Sequence, residues 1–260
     1  MFNGGEDTSF YKGLPIDLCP YSKPLKHGKL SEFHYGVMKM LEREQFTYDF
    51  LVTLDSDMLL IKPGFEEFIH KTMKNSLYMG VNFQTIDKGT EWIIGRRFLY
   101  KWKSKFQKYF QIEKPYGSFN PCQVFRHKYV QKFVEDAMTV PLLHEVGVSK
   151  LEALEEIIYA SYAVKIKANP VSNPGSHALV LRRHSVEELD AYLRDDQVFF
   201  VHKVGMNYKD PDRVFIRNLI KNKNEKKEQV MNEDYLTHYP VSLRRKALSW
   251  CKDIYLKLFA

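Results

Sequence analysis

Cysteine is scarce, with three in 260 residues at Cys19, Cys122 and Cys251. Spacing that wide builds neither a zinc pair nor a disulfide framework, and a reducing, cytoplasmic setting is the expectation it leaves. Long apolar runs are missing too: stretches such as residues 198–201 last only a few residues, whereas a bilayer-spanning helix needs about twenty. The first seven residues lack the basic-then-apolar pattern of a secretory signal. Internal repeats, low-complexity tracts, zinc-finger spacing and an aromatic RNA-binding signature are all absent, so nucleic acid is not an expected partner. Against these absences stand 44% apolar residues, 18 Phe and 16 Tyr. That is too aromatic for a disordered chain and enough for one sizeable core.

The net charge of +7 is unevenly placed. Residues 96–114 hold seven basic residues against one acid, Glu113. Residues 221–260 hold nine against five, and the remainder of the chain is slightly acidic. Two basic segments point to anionic partners: phosphates, an acidic polymer or anionic lipid.

Helical and strand-like patterns alternate. Helices are expected over residues 31–43, 65–73, 91–112, 127–138, 150–161 and 212–220. Strands are expected over residues 48–54, 77–83, 123–125, 163–167, 178–181 and 197–201, with residues 115–121 as a Pro-, Gly- and Ser-rich loop. Such alternation argues for an α/β domain around a mostly parallel sheet flanked by helices, with ligands at the carboxyl ends of the strands. The expected organisation is a catalytic domain at residues 1–220, a charged linker at 221–238 and an amphipathic helix at 239–260. The opening Phe2, Asn3, Gly4 and Gly5 read as the end of a strand and its turn, so the first β-α-β portion of such a domain is expected to be missing.

The sharpest feature is the pair Asp55 and Asp57 directly after the apolar residues 50–54. Residues two apart in an extended chain point to the same side, so both carboxylates face one crevice. Two close carboxylates repel unless a cation sits nearby, and Mn²⁺ or Mg²⁺ takes oxygen ligands while leaving positions for phosphate oxygens. The competing reading is a pair of solvated turn aspartates.

Residues 54–69, LDSDMLLIKPGFEEFI, resemble the Asp-x-Asp motif and following helix of glycosyltransferases of the GT-A fold. The resemblance spans about residues 3–218 and implies a Rossmann-like domain that transfers a sugar from a nucleotide-sugar, such as a UDP-sugar, to a hydroxyl acceptor. It implies that Asp55 and Asp57 hold the metal and donor, with Gly28 and Lys29 in a loop that contacts the nucleotide. The segment from Glu156 to Ser161 is similar to the branching N-acetylglucosaminyltransferases, where a Glu before an apolar-aromatic stretch is the general base of an inverting reaction. Those relatives do without the metal motif, so the likeness is partial. By this resemblance Glu156 is the base and Glu155 an acceptor contact; by residue pattern alone, Glu152, Glu155 and Glu156 are equally a solvated helix face.

The strand over residues 198–201 ends at His202, with Lys203, Gly205 and Lys209 after it. The GT-A resemblance makes His202 a third metal ligand; the competing reading is a strand-end His bonded to a backbone carbonyl. Lys203 and Lys209 then bind the donor diphosphate, with Arg213 offsetting its charge. It also places a sugar- and acceptor-touching loop at residues 117–126, where Tyr116, Asn120 and Gln123 are candidate contacts and Phe119 a stacking surface. Competing classes are a catalytically inactive sugar- or polymer-binding protein on the same fold, and a phosphohydrolase of the haloacid dehalogenase type using Asp55 and Asp57. In the latter a Thr or Val follows the pair by two positions, where this chain has Leu59.

In the last segment Ala247, Leu248, Cys251, Ile254, Tyr255, Leu258 and Phe259 form one helical stripe. Arg244, Arg245, Lys246, Lys252 and Lys257 lie largely off it. Such a helix lies on an anionic membrane, packs back on its own domain or pairs with a second copy as a homodimer. The acceptor is correspondingly a glycan, a lipid-linked sugar or a polymer, and the location the cytoplasm or the inner membrane face.

Overall fold

A computed structural model describes residues 18–24, 29–205 and 209–225. It shows an α/β fold with a mixed sheet flanked by helices. The strands are β1 (Phe50–Val52), β2 (Met58–Leu60), β3 (Tyr78–Thr85), β4 (Tyr116–Arg126), β5 (Val171–Ser172) and β6 (Phe200–His202). The helices are α1 (Ser31–Arg43), α2 (Phe65–Thr72), α3 (Ile93–Phe110), α4 (His127–Glu135), α5 (Thr139–Val148), α6 (Glu155–Lys165), α7 (Val186–Arg194) and α8 (Pro211–Glu225).

The main sheet has the order β1-β4-β3-β5, and β2 pairs with β6 in a separate two-stranded ribbon. The expected mostly parallel sheet is corrected here. β4 runs antiparallel to both β1 and β3, and only β3 and β5 pair in parallel. The chain passes from β3 through α3 and enters the centre of the sheet as β4, running in reverse between its two neighbours. β1 forms one edge among the described residues. Residues 1–17, which bear on the expected missing portion, lie outside the described residues, as do Gly28 and residues 226–260 with the expected terminal helix.

Other boundaries move for identifiable reasons. The loop expected at residues 115–121 belongs to β4, a central strand that tolerates its Gly and Pro because the β3–β4 pairing is irregular, with register shifts between Met79, Val81 and Gln84. Residues 163–167 finish α6 and its turn instead of forming a strand, and residues 178–181 contribute one isolated bridge, Leu179 to His202. α8 runs to Glu225, five residues into the segment read as linker. α5 and α7 are additional helices. Pro141 sits in the first turn of α5, where its missing N–H costs little. α7 starts with a capping box, Ser185 and Glu188 each satisfying the other's backbone N–H.

Aromatic residues fill the core between the sheet and its helices. Phe125 of β4 and Tyr78 of β3 meet Tyr129 and Phe133 of α4 and Tyr159 of α6. α6 is buried on all sides from Glu155 to Ala163. A helix so enclosed fixes the two glutamates at its start with little freedom, and they face the end of β1.

Candidate metal centre

Beyond Val52 the chain keeps its pairing with β4 for one more residue, since Thr53 N–H donates to Gln123 O and Cys122 N–H to Thr53 O. A turn then closes from Asp55 O to Met58 N–H at 3.0 Å. Met58 enters β2 directly opposite His202 of β6. This register sets Asp57 beside the imidazole, and Val204 N–H donates to Asp57 O at 2.8 Å to lock the two chains together. Asp55, Asp57 and His202 thus converge, each offering one ligand atom, all within 4.8 Å of one another.

The tautomer of His202 is set by its neighbours. Nδ1 lies 2.8 Å from the carbonyl oxygen of Val180, which only accepts, so Nδ1 carries the proton. In the neutral ring Nε2 then presents a lone pair, 3.3 Å from Asp57 Oδ1. Two acceptors then face each other, an arrangement that a cation between them would relieve. With Asp55 beside them, the three residues can hold a metal ion, their ligand atoms lying within 4.8 Å of one another against roughly 4.2 Å between opposite ligands of one Mg²⁺. The backbone of His202 is braced from behind by His184, whose Nε2–H donates to its carbonyl at 2.8 Å. Lys203 Nζ approaches Asp57 Oδ2 at 3.3 Å.

A cavity of about 470 Å³ opens on this group. Its walls include Trp92, Phe119, Asn120, Leu181 and Lys203, and Glu155 and Glu156 line it as well. Both glutamates are nearly enclosed, at 2% and 4% exposure, and one oxygen of each, Oε2, has no hydrogen-bond partner. Burial pushes the Glu155 carboxyl up to about 7, with the nearby Lys29 charge pulling the other way. Burial, then the charge of Glu155, pushes Glu156 up to about 8. Burial and the charge of Asp57 raise Asp55 as well. The reading of Glu155 and Glu156 as a solvated face is therefore corrected; only Glu152 is exposed.

Asn120 ties the two acidic groups together. Its backbone N–H donates to Glu156 Oε1 at 3.3 Å and its Nδ2 reaches Asp55 Oδ1 at 3.5 Å. Its own Oδ1 accepts from Gln123 Nε2 at 3.1 Å, and Gln123 Oε1 accepts from the Tyr78 hydroxyl at 2.8 Å. Gln123 is wholly buried, so the expected sugar contact becomes a brace behind Asn120.

Three more expected contacts move. Tyr116 stacks on Phe83 at 5.5 Å, away from the cavity wall. Lys29 is not among the residues that line this cavity; its ammonium donates to the carbonyls of Val146, Ser149 and Leu151, closing the C-terminal end of α5. Lys209 is exposed and outside the cavity lining. Trp92 is a wall residue that sequence reasoning missed; a Cβ at Gly117 would stand 2.1 Å from its ring, so the glycine is what lets the indole lie against β4.

No protein-family model and no curated protein matches the chain. What the site can do follows from its geometry alone. Among the described residues no helix is long and apolar enough to cross a membrane.

Arg213 was expected on the diphosphate. Instead its guanidinium donates to the carbonyls of Ser56 at 2.7 Å, Met58 at 3.1 Å and Gly205. It clamps the acidic turn to the chain after β6. Arg213→Ala leaves three carbonyls without this donor and is expected to cost about 2–3 kcal/mol, lowering the melting temperature by about 5–10 °C. Calorimetry checks this, and an unchanged melting point would mean that the turn holds its shape without the clamp.

Proposed function

We propose that the chain is a metal-dependent glycosyltransferase of GT-A type, transferring a sugar from a nucleotide-sugar to a hydroxyl acceptor with inversion. The observation that carries this reading is the pairing, in one cavity, of an Asp-Asp-His cation site with two buried carboxyls whose pKa values lie near neutrality. A hydrolase or a bare binding protein has less use for the second pair.

Asp55, Asp57 and His202 would hold Mn²⁺ or Mg²⁺. When bound, such an ion neutralises the donor diphosphate and the charge that grows on it as the sugar departs. Lys203, on the cavity wall, adds a second positive charge near the same phosphates. Glu156 is the general base. It accepts the proton of the acceptor hydroxyl as that oxygen bonds to the anomeric carbon and the bond from that carbon to the phosphate oxygen breaks. A base is most effective when its pKa lies near the working pH, and enclosure in α6 achieves that shift. The Asn120 N–H holds Oε1 in place, and Glu155 lines the acceptor side.

The test is a melting-temperature screen of Mn²⁺, UDP and UDP-sugars, followed by transfer from radiolabelled donors. UDP is expected to raise the melting temperature only with Mn²⁺ present, and excess EDTA to abolish transfer. Full transfer in EDTA, or release of free phosphate from simple esters without sugar transfer, would overturn the reading.

A further inference from the structure

We propose that the outward face of α3 is a docking surface for an anionic lipid bilayer and holds the mouth of the cavity at the level of the lipid headgroups. The helix carries Arg96, Arg97, Lys101, Lys103, Lys105 and Lys108 and no acidic residue in its 18 residues. Its inner stripe, from Phe98 through Trp102 and Phe106 to Tyr109, is buried in the core, so the cations are turned outward. At about 100° per residue, Arg97, Lys101 and Lys108 fall in one row. Beside that row Tyr100 stands 87% exposed.

A helix that merely keeps the protein soluble intersperses acids among its cations, because like charges at i,i+4 destabilise it. Here Arg97 and Lys101 are such a pair, and so are Lys101 and Lys105. Glu145 of α5 pairs with Lys105, and its charge also reaches Lys108. Arg97 and Lys101 have no acidic partner among the described residues. The unrelieved repulsion is removed when the face meets a surface of opposite charge.

The shape selects a lipid surface over a polyanionic chain. The face is the convex side of one helix, with an aromatic ring among the charges, and an amphipathic tip of this kind sits at a headgroup boundary. The same helix begins at the cavity, where Trp92 and Ile94 form part of the wall. Leu181, another wall residue, is 71% exposed. Docking through α3 thus brings an acceptor anchored in the bilayer to the cavity mouth. The inference stands apart from the transferase reading, because binding is measured with no donor or metal present.

The experiment is flotation of the full chain with phosphatidylcholine vesicles, with and without about 30% phosphatidylserine. The native chain is expected to float only with phosphatidylserine and to be released by salt, which screens surface charge. The triple variant Arg97→Glu, Lys101→Glu and Lys108→Glu is expected to bind at least about a hundredfold more weakly. Its circular dichroism should match the native chain and its melting temperature fall by no more than about 5 °C, since all three side chains are exposed and Lys108 alone makes a contact, over the Tyr109 ring. Three results overturn the proposal. The variant floats as well as the native chain, which assigns any binding to residues 239–260; the native chain ignores both vesicles; or it binds soluble heparin through this row but not vesicles, which makes the partner a polyanionic chain.

Discussion

Asp57→Ala is expected to abolish Mn²⁺ binding and lower sugar transfer by about a thousandfold or more, while the protein stays folded. Asp57 supplies the carboxylate that faces both His202 Nε2 and Lys203 Nζ, at 3.3 Å each. Without it the remaining Asp55 and His202 make a two-ligand site, and charge stabilisation worth several kcal/mol in the transition state is lost. The fold should tolerate the change. The Asp57 side chain is 15% exposed, and what ties the turn to β6 is its backbone carbonyl, which alanine retains. Electron paramagnetic resonance of Mn²⁺ measures the site directly, without any substrate. If the variant binds Mn²⁺ as the native chain does, the ion lies elsewhere.

The second large effect is at Glu156. Glu156→Gln keeps the shape of the side chain and its bond from Asn120 N–H but cannot take a proton, and transfer should fall by about a hundredfold to ten-thousandfold with donor binding unchanged. The same substitution should make the protein more stable at alkaline pH. In the unfolded chain this carboxyl titrates near 4.5, and in the fold near 8. Between those values the folded state keeps a proton that the unfolded state releases, so the stability contributed is full below about pH 4.5 and is lost as pH rises towards 8. Glutamine removes that loss. Melting curves from pH 5 to pH 8 should therefore decline less steeply for the variant, with a gain of about 5 °C at pH 8. A variant that transfers at the normal rate, with Glu155→Gln inactive instead, would move the base by one residue.

Asp55 and Asp57 were legible because an apolar run ended in acids, a pattern that depends only on neighbours in sequence. His202 was legible as a strand-end histidine. Its meeting with Asp57 depends on the β2–β6 register, and β2 is three residues of a run that also reads as a helix approach. Glu155 and Glu156 were visible as a pair, but their burial was not. Enclosure of α6 comes from α1, α3, β3 and β4, which are distant in sequence. β4 was misread because Gly117, Ser118 and Pro121 are turn formers by composition, and only the irregular pairing with β3 lets them lie in a strand. Lys29, Gln123 and Arg213 carried the right chemistry for a ligand but spend it on protein atoms. A cation that closes a helix end looks, in sequence, like a cation that binds phosphate. The expected helices did not include α7, although Ser185 followed three residues later by Glu188 is a pattern that marks a helix start.

The Asp-Asp-His group straddles two structural bodies. Asp55 hangs from the end of a strand of the four-stranded sheet, whereas His202 belongs to the separate ribbon of β2 and β6. Met58 and Phe200 of the ribbon already share a core with Val81 and Cys122 of the sheet, and an ion held by both bodies would add a second tie at the rim. The affinity of such an ion would then be linked to how the ribbon is seated, each favouring the other.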